Sequence, residues 1–249
     1  MPSRSSWGRR RTVAELRFEG AEVRVETSDG GERTILSPTT LTLTERRIGV
    51  IGGNGSGKST LARLLNGLVE PTAGRVLVDG VDVARHGAAV RRKVGFTFTD
   101  PAAQLVMPTC VEDVELSLRR TVKDRVRRRA LAHETLARFG LAERADVSVH
   151  ALSGGQRQLL ALAGVLATEP DVLVCDEPTT LLDLRNTRMV GDLLLSLPQQ
   201  LVLVSHDLDL VRRCDRVLVV EDGRVRFDGA AEDAVDDYVA SVAGRTGPA

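Results

Sequence analysis

The segment from residue 52 to residue 60 constrains the fold of this chain more than any other part of the sequence. It reads GGNGSGKST and fits the pattern G-x-x-x-x-G-K-[ST], with a short apolar run before it, residues 48–51, and the leucine-rich LARLLNGL after it. A buried strand, a glycine-rich loop and a helix in this order form a loop whose backbone N–H groups can surround phosphates. The sequence therefore predicts a parallel α/β fold with a nucleotide site after this strand.

The residue types in this loop each have a chemical reason to be there. The glycines permit backbone conformations that other residues avoid, so that successive N–H groups point at phosphate oxygens. Lys58 is expected to reach the β- and γ-phosphates of ATP, and the Ser59 hydroxyl to bind Mg²⁺. A tight glycine turn without a ligand is the alternative, and the flanking strand and helix argue against it. The predicted nucleotide contacts in the loop are Gly52, Gly53, Asn54, Gly55, Ser56, Gly57, Lys58, Ser59 and Thr60.

Two later apolar runs end in side chains suited to phosphoryl transfer. Asp176 and Glu177 follow residues 172–175, and His206 follows residues 201–205. Ligands of open parallel sheets lie at the carboxyl ends of the strands. We therefore expect Asp176 to bind Mg²⁺ directly or through water, Glu177 to take a proton from the attacking water, and His206 to hold the γ-phosphate. The alternatives are a solvated acidic loop and a structural histidine, and the phosphate loop argues against both.

The pattern of strands and helices predicts one α/β domain with two additions. Residues 14–45 alternate apolar and polar side chains around a turn, which is typical of antiparallel strands. Later apolar runs alternate with helical segments, which indicates a parallel sheet covered on both faces. Residues 105–167 have a mainly helical pattern and are expected to form an inserted helical subdomain. We expect the nucleotide-binding domain to span residues 14–243, between a disordered basic tail (1–13) and a flexible tail (244–249).

Composition excludes several classes of protein. Lys+Arg and Asp+Glu both number 34 in 249 residues, so the formal net charge is zero and no nucleic-acid surface is expected. No apolar stretch approaches the roughly 20 residues that cross a bilayer, so other chains must hold this one at any membrane. The three cysteines are far apart and are expected to be small, buried and reduced: Cys110, Cys175 and Cys214.

A second glycine-rich motif, LSGGQ, occupies residues 152–156 just before another helical run. Ser153 is expected to cap that helix, and the glycines leave its first N–H groups open to an anion. A nucleotide has only one γ-phosphate, so a single chain does not need two separate binding sites for it. The arrangement indicates that each LSGGQ segment completes the nucleotide site of another copy.

The order of the motifs resembles that of the ATP-binding-cassette (ABC) family over nearly the whole chain. The phosphate loop is followed by LSGGQ, by CDEPTTLLD at residues 175–183 and by SHD at residues 205–207. By this resemblance two cassettes bind two ATP molecules head-to-tail, Asp183 ties the two active sites together, and the helical subdomain faces a transporter. The residues that would contact the γ-phosphate held by the opposite subunit are Ser153, Gly154, Gly155 and Gln156.

Finer features resemble the energy-coupling-factor (ECF) branch, whose members take up vitamins and metal ions. Residues 94–118, VGFTFTDPAAQLVMPTCVEDVELSL, are similar to that branch, in which an Asn/Asp-Pro-x-x-Gln-Leu segment carries a short coupling helix. Residues 99–104, TDPAAQ, and residues 177–186, EPTTLLDLRN, are most similar to the ATPases of biotin uptake. Cobalt and nickel ATPases more often have Gly-Leu-Asp where this chain has Leu182-Asp183. The resemblance implies an importer ATPase with biotin favoured, and a cobalt or nickel importer is the alternative.

Three positions depart from the family pattern. Thr99 stands where the family usually has a glutamine that touches Mg²⁺, so its hydroxyl is the expected metal contact, and Gln104 is a candidate for part of the coupling role. No aromatic residue is evident for stacking on adenine, and Val25 is expected to lie nearby, which predicts loose base recognition. Gly164 falls inside the helix after LSGGQ, where glycine costs about 1 kcal/mol relative to alanine, and close packing would explain it.

The resemblance also implies a location and partners. The chain is expected at the cytoplasmic face of the cell membrane, held there by an integral membrane coupling subunit and a substrate-binding membrane subunit. A second ABC ATPase, identical or different, would complete the dimer, with ATP and Mg²⁺ as cofactors. One alternative is a soluble ABC ATPase such as an iron–sulfur assembly factor. Another is a partner that binds nucleotide without hydrolysing it, and the residues argue against it because Lys58, Asp176, Glu177 and His206 are all present.

Overall fold

The computed structural model describes residues 12–28 and 30–245, with the backbone alone for residue 245. The strands in this part of the chain are Leu16–Glu26 (β1), Glu32–Leu43 (β2), Arg47–Ile51 (β3), Ala73–Val78 (β4), Val81–Asp82 (β5), Val94–Thr97 (β6), Val172–Asp176 (β7), Gln200–Val204 (β8), Arg216–Glu221 (β9) and Arg224–Gly229 (β10). The α-helices are Lys58–Leu64 (α1), Gly87–Lys93 (α2), Cys110–Leu118 (α3), Arg125–Arg138 (α4), Gly154–Leu166 (α5), Leu184–Ser196 (α6), Leu208–Val211 (α7) and Ala231–Arg245 (α8).

Both predicted tails lie mostly outside the described residues. Of the predicted disordered tail, residues 1–13, only residues 12 and 13 are described, and they have no regular secondary structure. Of the predicted flexible tail, residues 244–249, the first two residues belong to the end of α8. The remaining residues of that tail, 246–249, lie outside the described part.

The strands form two sheets, as the sequence pattern predicts. One sheet has the order β2-β1-β4-β5, and all of its pairs are antiparallel. The other has the order β10-β9-β3-β8-β7-β6, and β10 is antiparallel to β9 at one edge while the remaining pairs are parallel. The strand before the phosphate loop, β3, is therefore central; β8 lies next to it, β7 lies next to β8, and all three run toward the same edge.

Two apolar layers explain why the central strands are continuous apolar runs. All residues of β3, β7 and β8 are buried. On one face, α1 fills the space between the two sheets, where Leu61 and Leu64 pack with Phe18 of β1. On the other face, α5, α6 and α8 cover the parallel sheet through side chains that include Leu162 and Val190. Strands buried on both faces have no need for polar alternation.

The insert between β6 and β7 is helical with interruptions. It contains α3, α4 and α5 together with 3₁₀ turns, so the nearly continuous helical pattern is broken in the structure. Gly140 has φ +70° and follows the end of α4, a conformation that favours glycine and ends helices. A Cβ at Gly164 would lie 3.3 Å from the Ser117 Oγ, so α5 approaches α3 closely at this glycine. The extent of the insert as a separate subdomain stays a prediction.

The cysteines and the helix lengths complete the fold. Cys110, Cys175 and Cys214 are buried and free, as the sequence predicts. Burial raises the pKa of the Cys175 and Cys214 thiols to about 12. Among residues 12–28 and 30–245, no helix is both long enough and apolar enough to cross a bilayer.

Candidate nucleotide-binding site

The phosphate loop joins the end of β3 to the start of α1 and has a backbone that demands glycine at defined points. Gly52 has φ +148°, and a Cβ there would lie 2.0 Å from the Val220 carbonyl oxygen. Gly57 has φ +104°, and its Cβ would lie 2.8 Å from the Ile35 carbonyl oxygen. Neighbouring strands therefore press against the loop from both sides, and only residues without a side chain fit at these positions.

Replacing Gly52 by alanine is expected to destabilise the protein by about 2 kcal/mol or more, because the added Cβ meets backbone and the φ value is strained. Urea denaturation gives the free energy of unfolding. Gly53→Ala is the matched control, because a Cβ added there would have no atom within 4 Å and the φ of Gly53 is not positive. That variant is expected to change stability by less than about 0.5 kcal/mol. Equal stability of the two variants would contradict the close approach at Gly52.

Lys58, the first residue of α1, lies across the loop. Its Nζ donates hydrogen bonds to the carbonyl oxygens of Gly52 (2.9 Å) and Gly53 (2.8 Å), and the side chain is buried. Burial lowers the pKa of Lys58, while the charges of Glu177 and Asp176 act in the opposite direction. A buried ammonium group bound only to carbonyl oxygens is a favourable partner for phosphate oxygens.

Asp176 sits at the end of β7, and three side chains from other segments bind it. Ser59 Oγ donates to Asp176 Oδ1 (2.8 Å), and Arg63 Nη2 donates to Oδ2 (3.1 Å). Thr99 Oγ1 donates to the Asp176 backbone carbonyl oxygen (3.0 Å). The structure thus brings together Ser59, Asp176 and Thr99, the three predicted metal contacts. The contact of Arg63 was not predicted, although Arg63 lies one helical turn after Ser59 on the same face of α1.

The residues around Asp176 fit a magnesium ion. A hydroxyl and a carboxylate are hard oxygen donors of the kind that Mg²⁺ prefers. Ser59 Oγ and Asp176 Oδ1 are 2.8 Å apart, close to the roughly 2.9 Å between adjacent ligands of an octahedral ion with 2.0–2.1 Å bonds. Thr99 can add an oxygen because a hydroxyl that donates one hydrogen bond keeps its lone pairs.

Glu177 occupies a strained position beside His206. Its φ is +54°, uncommon for a residue with a side chain and typical of functional sites. One carboxylate oxygen, Oε2, accepts hydrogen bonds from Thr180 Oγ1 (2.9 Å) and from the His206 backbone N–H (3.3 Å). The other, Oε1, lies 3.2 Å from His206 Nε2 without hydrogen-bond alignment, and it is buried with no donor in the described part of the chain. This oxygen is free to accept a proton from a water molecule. Thr180 was not predicted as a member of the site.

Two clefts flank the phosphate loop. One, of about 420 Å³, is lined by Asn54, Gly55, Lys58, Ser59, Thr99, Glu177, Thr180 and His206. The other, of about 270 Å³, is lined by Arg33, Ile35, Gly55, Ser56, Gly57, Lys58, Ser59 and Thr60. A larger cleft of about 1200 Å³ between β2 and β10 contains none of the predicted phosphate or metal contacts, so we do not assign the nucleotide to it.

The LSGGQ segment contributes to neither cleft beside the loop. Ser153 caps α5: its Oγ accepts from the Gln156 N–H (3.3 Å), and the Gln156 side chain accepts from the Ser153 N–H (3.0 Å). The predicted cap is therefore present, and Ser153 is exposed. Asp183 is also exposed and caps α6 by accepting from the Asn186 N–H (2.8 Å). The structure does not bring these residues to the phosphate loop of the same chain.

Two other residues singled out from the sequence line neither cleft at the loop. Gln104 Nε2 donates to the Ala161 carbonyl oxygen in α5 (3.0 Å), so Gln104 joins the 3₁₀ turn after β6 to that helix. Val25 is 43% exposed and pairs with Arg33 in the β1–β2 register, but it does not line either cleft at the loop. Arg33 and Ile35 of β2 line the smaller of the two clefts. These two residues were missed from the sequence because the alternation of apolar and polar residues does not show which part of a strand lies beside the phosphate loop.

These features define the class of the protein. A central parallel strand, a glycine loop with a buried lysine, and a carboxylate pair at the end of a parallel strand two positions away in the sheet form the site of a phosphate-loop nucleoside triphosphatase.

Comparisons with known proteins give the family. Residues 36–180 match the family model described as ABC transporter. A provisionally named ABC transporter ATP-binding protein of Deinococcus radiodurans is 50% identical over 207 residues, 83% of this chain and 92% of that protein. The biotin transport ATP-binding protein BioM of Rhizobium etli is 43% identical over 223 residues, 90% of this chain and 97% of that protein.

Solved structures agree in fold. CbiO1 of Clostridium perfringens, part of the ABC transporter complex CbiONQ, superposes with a TM-score of 0.76 at 30% identity, covering 93% of this chain and 94% of that one. A dimeric ATP-binding cassette in a post-hydrolysis state with ADP and Pi gives 0.78 at 28% identity, covering 87% and 98%. The chain belongs to the ABC transporter family and is one of its ATP-binding ATPases. The predicted fold class and the predicted ATPase activity are confirmed.

Proposed function

We propose that this chain is one half of an ATP-clamped pair of cassettes that drives a membrane importer for a vitamin, with biotin favoured. The pair is a homodimer or a heterodimer of ABC ATPases. It lies at the cytoplasmic face of the membrane, bound to an integral coupling subunit and a substrate-binding membrane subunit.

The separation of the two anion-binding elements carries the proposal of a pair. The cleft that holds Lys58 and Glu177 does not include Ser153, which is exposed and caps the N-terminus of α5, where Gly154 is half-buried and Gly155 is buried. A helix N-terminus capped by an exposed serine suits the γ-phosphate of a nucleotide bound to another subunit. The segment around Asp183 also exposes apolar side chains, Leu181 (61%) and Leu184 (67%), which a partner surface would cover.

Within such a pair, the residues around each phosphate loop would each have a separate role in hydrolysis. Lys58 neutralises charge on the β- and γ-phosphates, and a water molecule attacks the γ-phosphorus as the bond to the β–γ bridging oxygen breaks. Glu177 takes the proton of that water, His206 holds the γ-phosphate, and ADP leaves with the electrons of the broken bond. Ser59 and Asp176, with Thr99 beside them, would hold Mg²⁺, whose positive charge would offset that of the phosphates.

The segment after β6 is suited to contact with the membrane subunit. The Val106 side chain is 67% exposed. The backbone at this point is nevertheless held in place, because the buried Asp113 carboxylate accepts hydrogen bonds from the N–H groups of Val106 (2.9 Å) and Met107 (3.1 Å). Gln104 fixes the same segment to α5. A rigid loop that presents an apolar side chain is a suitable docking point for a coupling subunit. Because Thr99 binds the carbonyl of Asp176, the segment is also linked to the metal end of the site.

The cargo is proposed from the relatives. The Rhizobium etli relative is a biotin transport protein, and its match extends over 97% of its length. A cobalt or nickel importer ATPase remains the second candidate, supported by the similarity to CbiO1. A soluble assembly ATPase has no specific observation in its favour.

Uptake of radiolabelled biotin tests the cargo. In the source cell, deletion of this chain is expected to abolish high-affinity uptake, and Lys58→Ala is expected to behave like the deletion because ATP binding is lost. Lys123→Ala removes the same charge from an exposed residue and is expected to restore uptake fully. Biotin uptake that is unchanged in the deletion strain would overturn the cargo and leave the ATPase assignment intact.

A further inference from the structure

The two clefts at the phosphate loop define which way a nucleotide points. They share Gly55, Lys58 and Ser59 and lie on either side of the loop. The cleft with Glu177 and His206 suits the γ-phosphate end, because those are the groups that face the attacking water. The nucleoside end of a bound triphosphate must then leave the loop through the other cleft.

Two residues outside the loop line this second cleft, Arg33 and Ile35 of β2. Strand β2 is held close to the loop through Gly223, which accepts a hydrogen bond from the Ser37 N–H (2.7 Å) and donates one to the Ser56 carbonyl oxygen (2.9 Å). A Cβ at Gly57 would lie 2.8 Å from the Ile35 carbonyl oxygen, so β2 also approaches the loop there. Arg33 is exposed, and its guanidinium has no ion pair or hydrogen bond with any described residue. An arginine at the wall of a nucleotide cleft, without a partner among the residues that the structure describes, is available to a ligand.

We propose that the guanidinium plane of Arg33 stacks on the purine base, with Ile35 packing against the same nucleoside, in place of an aromatic ring. This inference rests on the proposed nucleotide site. Guanidinium groups stack on the faces of aromatic rings, and an arginine–ring contact contributes enough to change affinity several-fold. A contact with the face of the base does not distinguish the amino and carbonyl groups at its edge. Adenine and guanine nucleotides should therefore bind with similar affinity.

Calorimetric titration with ADP and with inorganic pyrophosphate separates a base contact from a phosphate contact, because only ADP carries a base. Neither probe has a γ-phosphate that the protein could hydrolyse. Arg33→Ala is expected to weaken ADP binding about 3- to 10-fold and to change pyrophosphate binding by less than about twofold. Arg33→Trp is expected to restore the affinity for ADP, since a ring offers the same stacking surface. Arg92→Ala, which removes an exposed arginine of α2, serves as the matched control and should change neither affinity.

The remaining outcomes overturn the inference in distinguishable ways. Equal losses for ADP and pyrophosphate in Arg33→Ala would assign Arg33 to the phosphates and not to the base. Unchanged affinity for both probes would remove Arg33 from the site. Failure of the unmodified protein to bind either probe would instead contradict the proposed nucleotide site itself.

Discussion

Replacing Glu177 by glutamine is expected to lower ATP hydrolysis by about 100-fold or more while leaving ATP binding intact. The amide keeps the size of the side chain and can still accept from Thr180, but it cannot take a proton from the attacking water. Because charge on the intact γ-phosphate would hold two cassettes together, the variant should also accumulate as a dimer in ATP. Steady-state phosphate release measures the first effect, and light scattering with and without ATP measures the second.

Glu70→Gln is the matched control for this experiment, since Glu70 is exposed and lines neither cleft at the loop. It should hydrolyse ATP at the unmodified rate and should not accumulate as a dimer. Near-normal turnover in Glu177→Gln would refute the role of Glu177 as the proton acceptor. A large loss of turnover without dimer accumulation would keep that role and contradict the ATP-clamped pair.

The parts of the fold that could be predicted are those that local patterns encode. The strands β3, β7 and β8 are short continuous apolar runs because both faces of the sheet are covered. The phosphate loop, the Asp176–Glu177 pair and His206 follow such strands directly, so their common edge follows from the parallel arrangement. Their grouping at one edge of the sheet required no knowledge of distant contacts.

The contacts that were missed join segments that the sequence does not connect. Arg63 and Asp176 are 113 positions apart, and Arg63 by itself resembles an ordinary charged residue of a surface helix. Thr180 is three positions after Glu177, but its hydrogen bond depends on the turn that gives Glu177 a positive φ. Side-chain contacts of this kind follow from tertiary packing and not from residue type.

The contacts of the β1–β2 hairpin with the phosphate loop also depend on tertiary packing and could not be predicted from residue type. Alternation predicted the two strands and placed Val25 on one of them. The register of Val25 with Arg33 and the approach of Ile35 to Gly57 are set by how the antiparallel sheet packs on the loop. The cleft therefore includes Arg33 and Ile35, and the interpretation that base recognition involves Val25 is replaced by the proposal for Arg33.

The second large effect concerns Ser153 and the loop of another chain. In an ATP-clamped pair, Ser153 of one subunit would lie against the phosphate loop of the other, near Asn54. Both residues are exposed, whereas the three natural cysteines are buried. Cysteines introduced at 153 in one chain and at 54 in the other are therefore expected to form a disulfide only when ATP closes the pair. The expected change is from almost no covalent dimer to a predominant one.

The ATP-clamped pair can be tested by cross-linking the double variant Glu177→Gln/Ser153→Cys to the double variant Glu177→Gln/Asn54→Cys. The two variants are mixed, oxidised with and without ATP, and resolved on a non-reducing gel, with Glu70→Cys replacing Asn54→Cys as the control. We expect a strong covalent dimer that requires ATP and both cysteines, one at 54 and one at 153. An ATP-bound dimer, verified by light scattering, that gives no more cross-link than the Glu70→Cys control would contradict it.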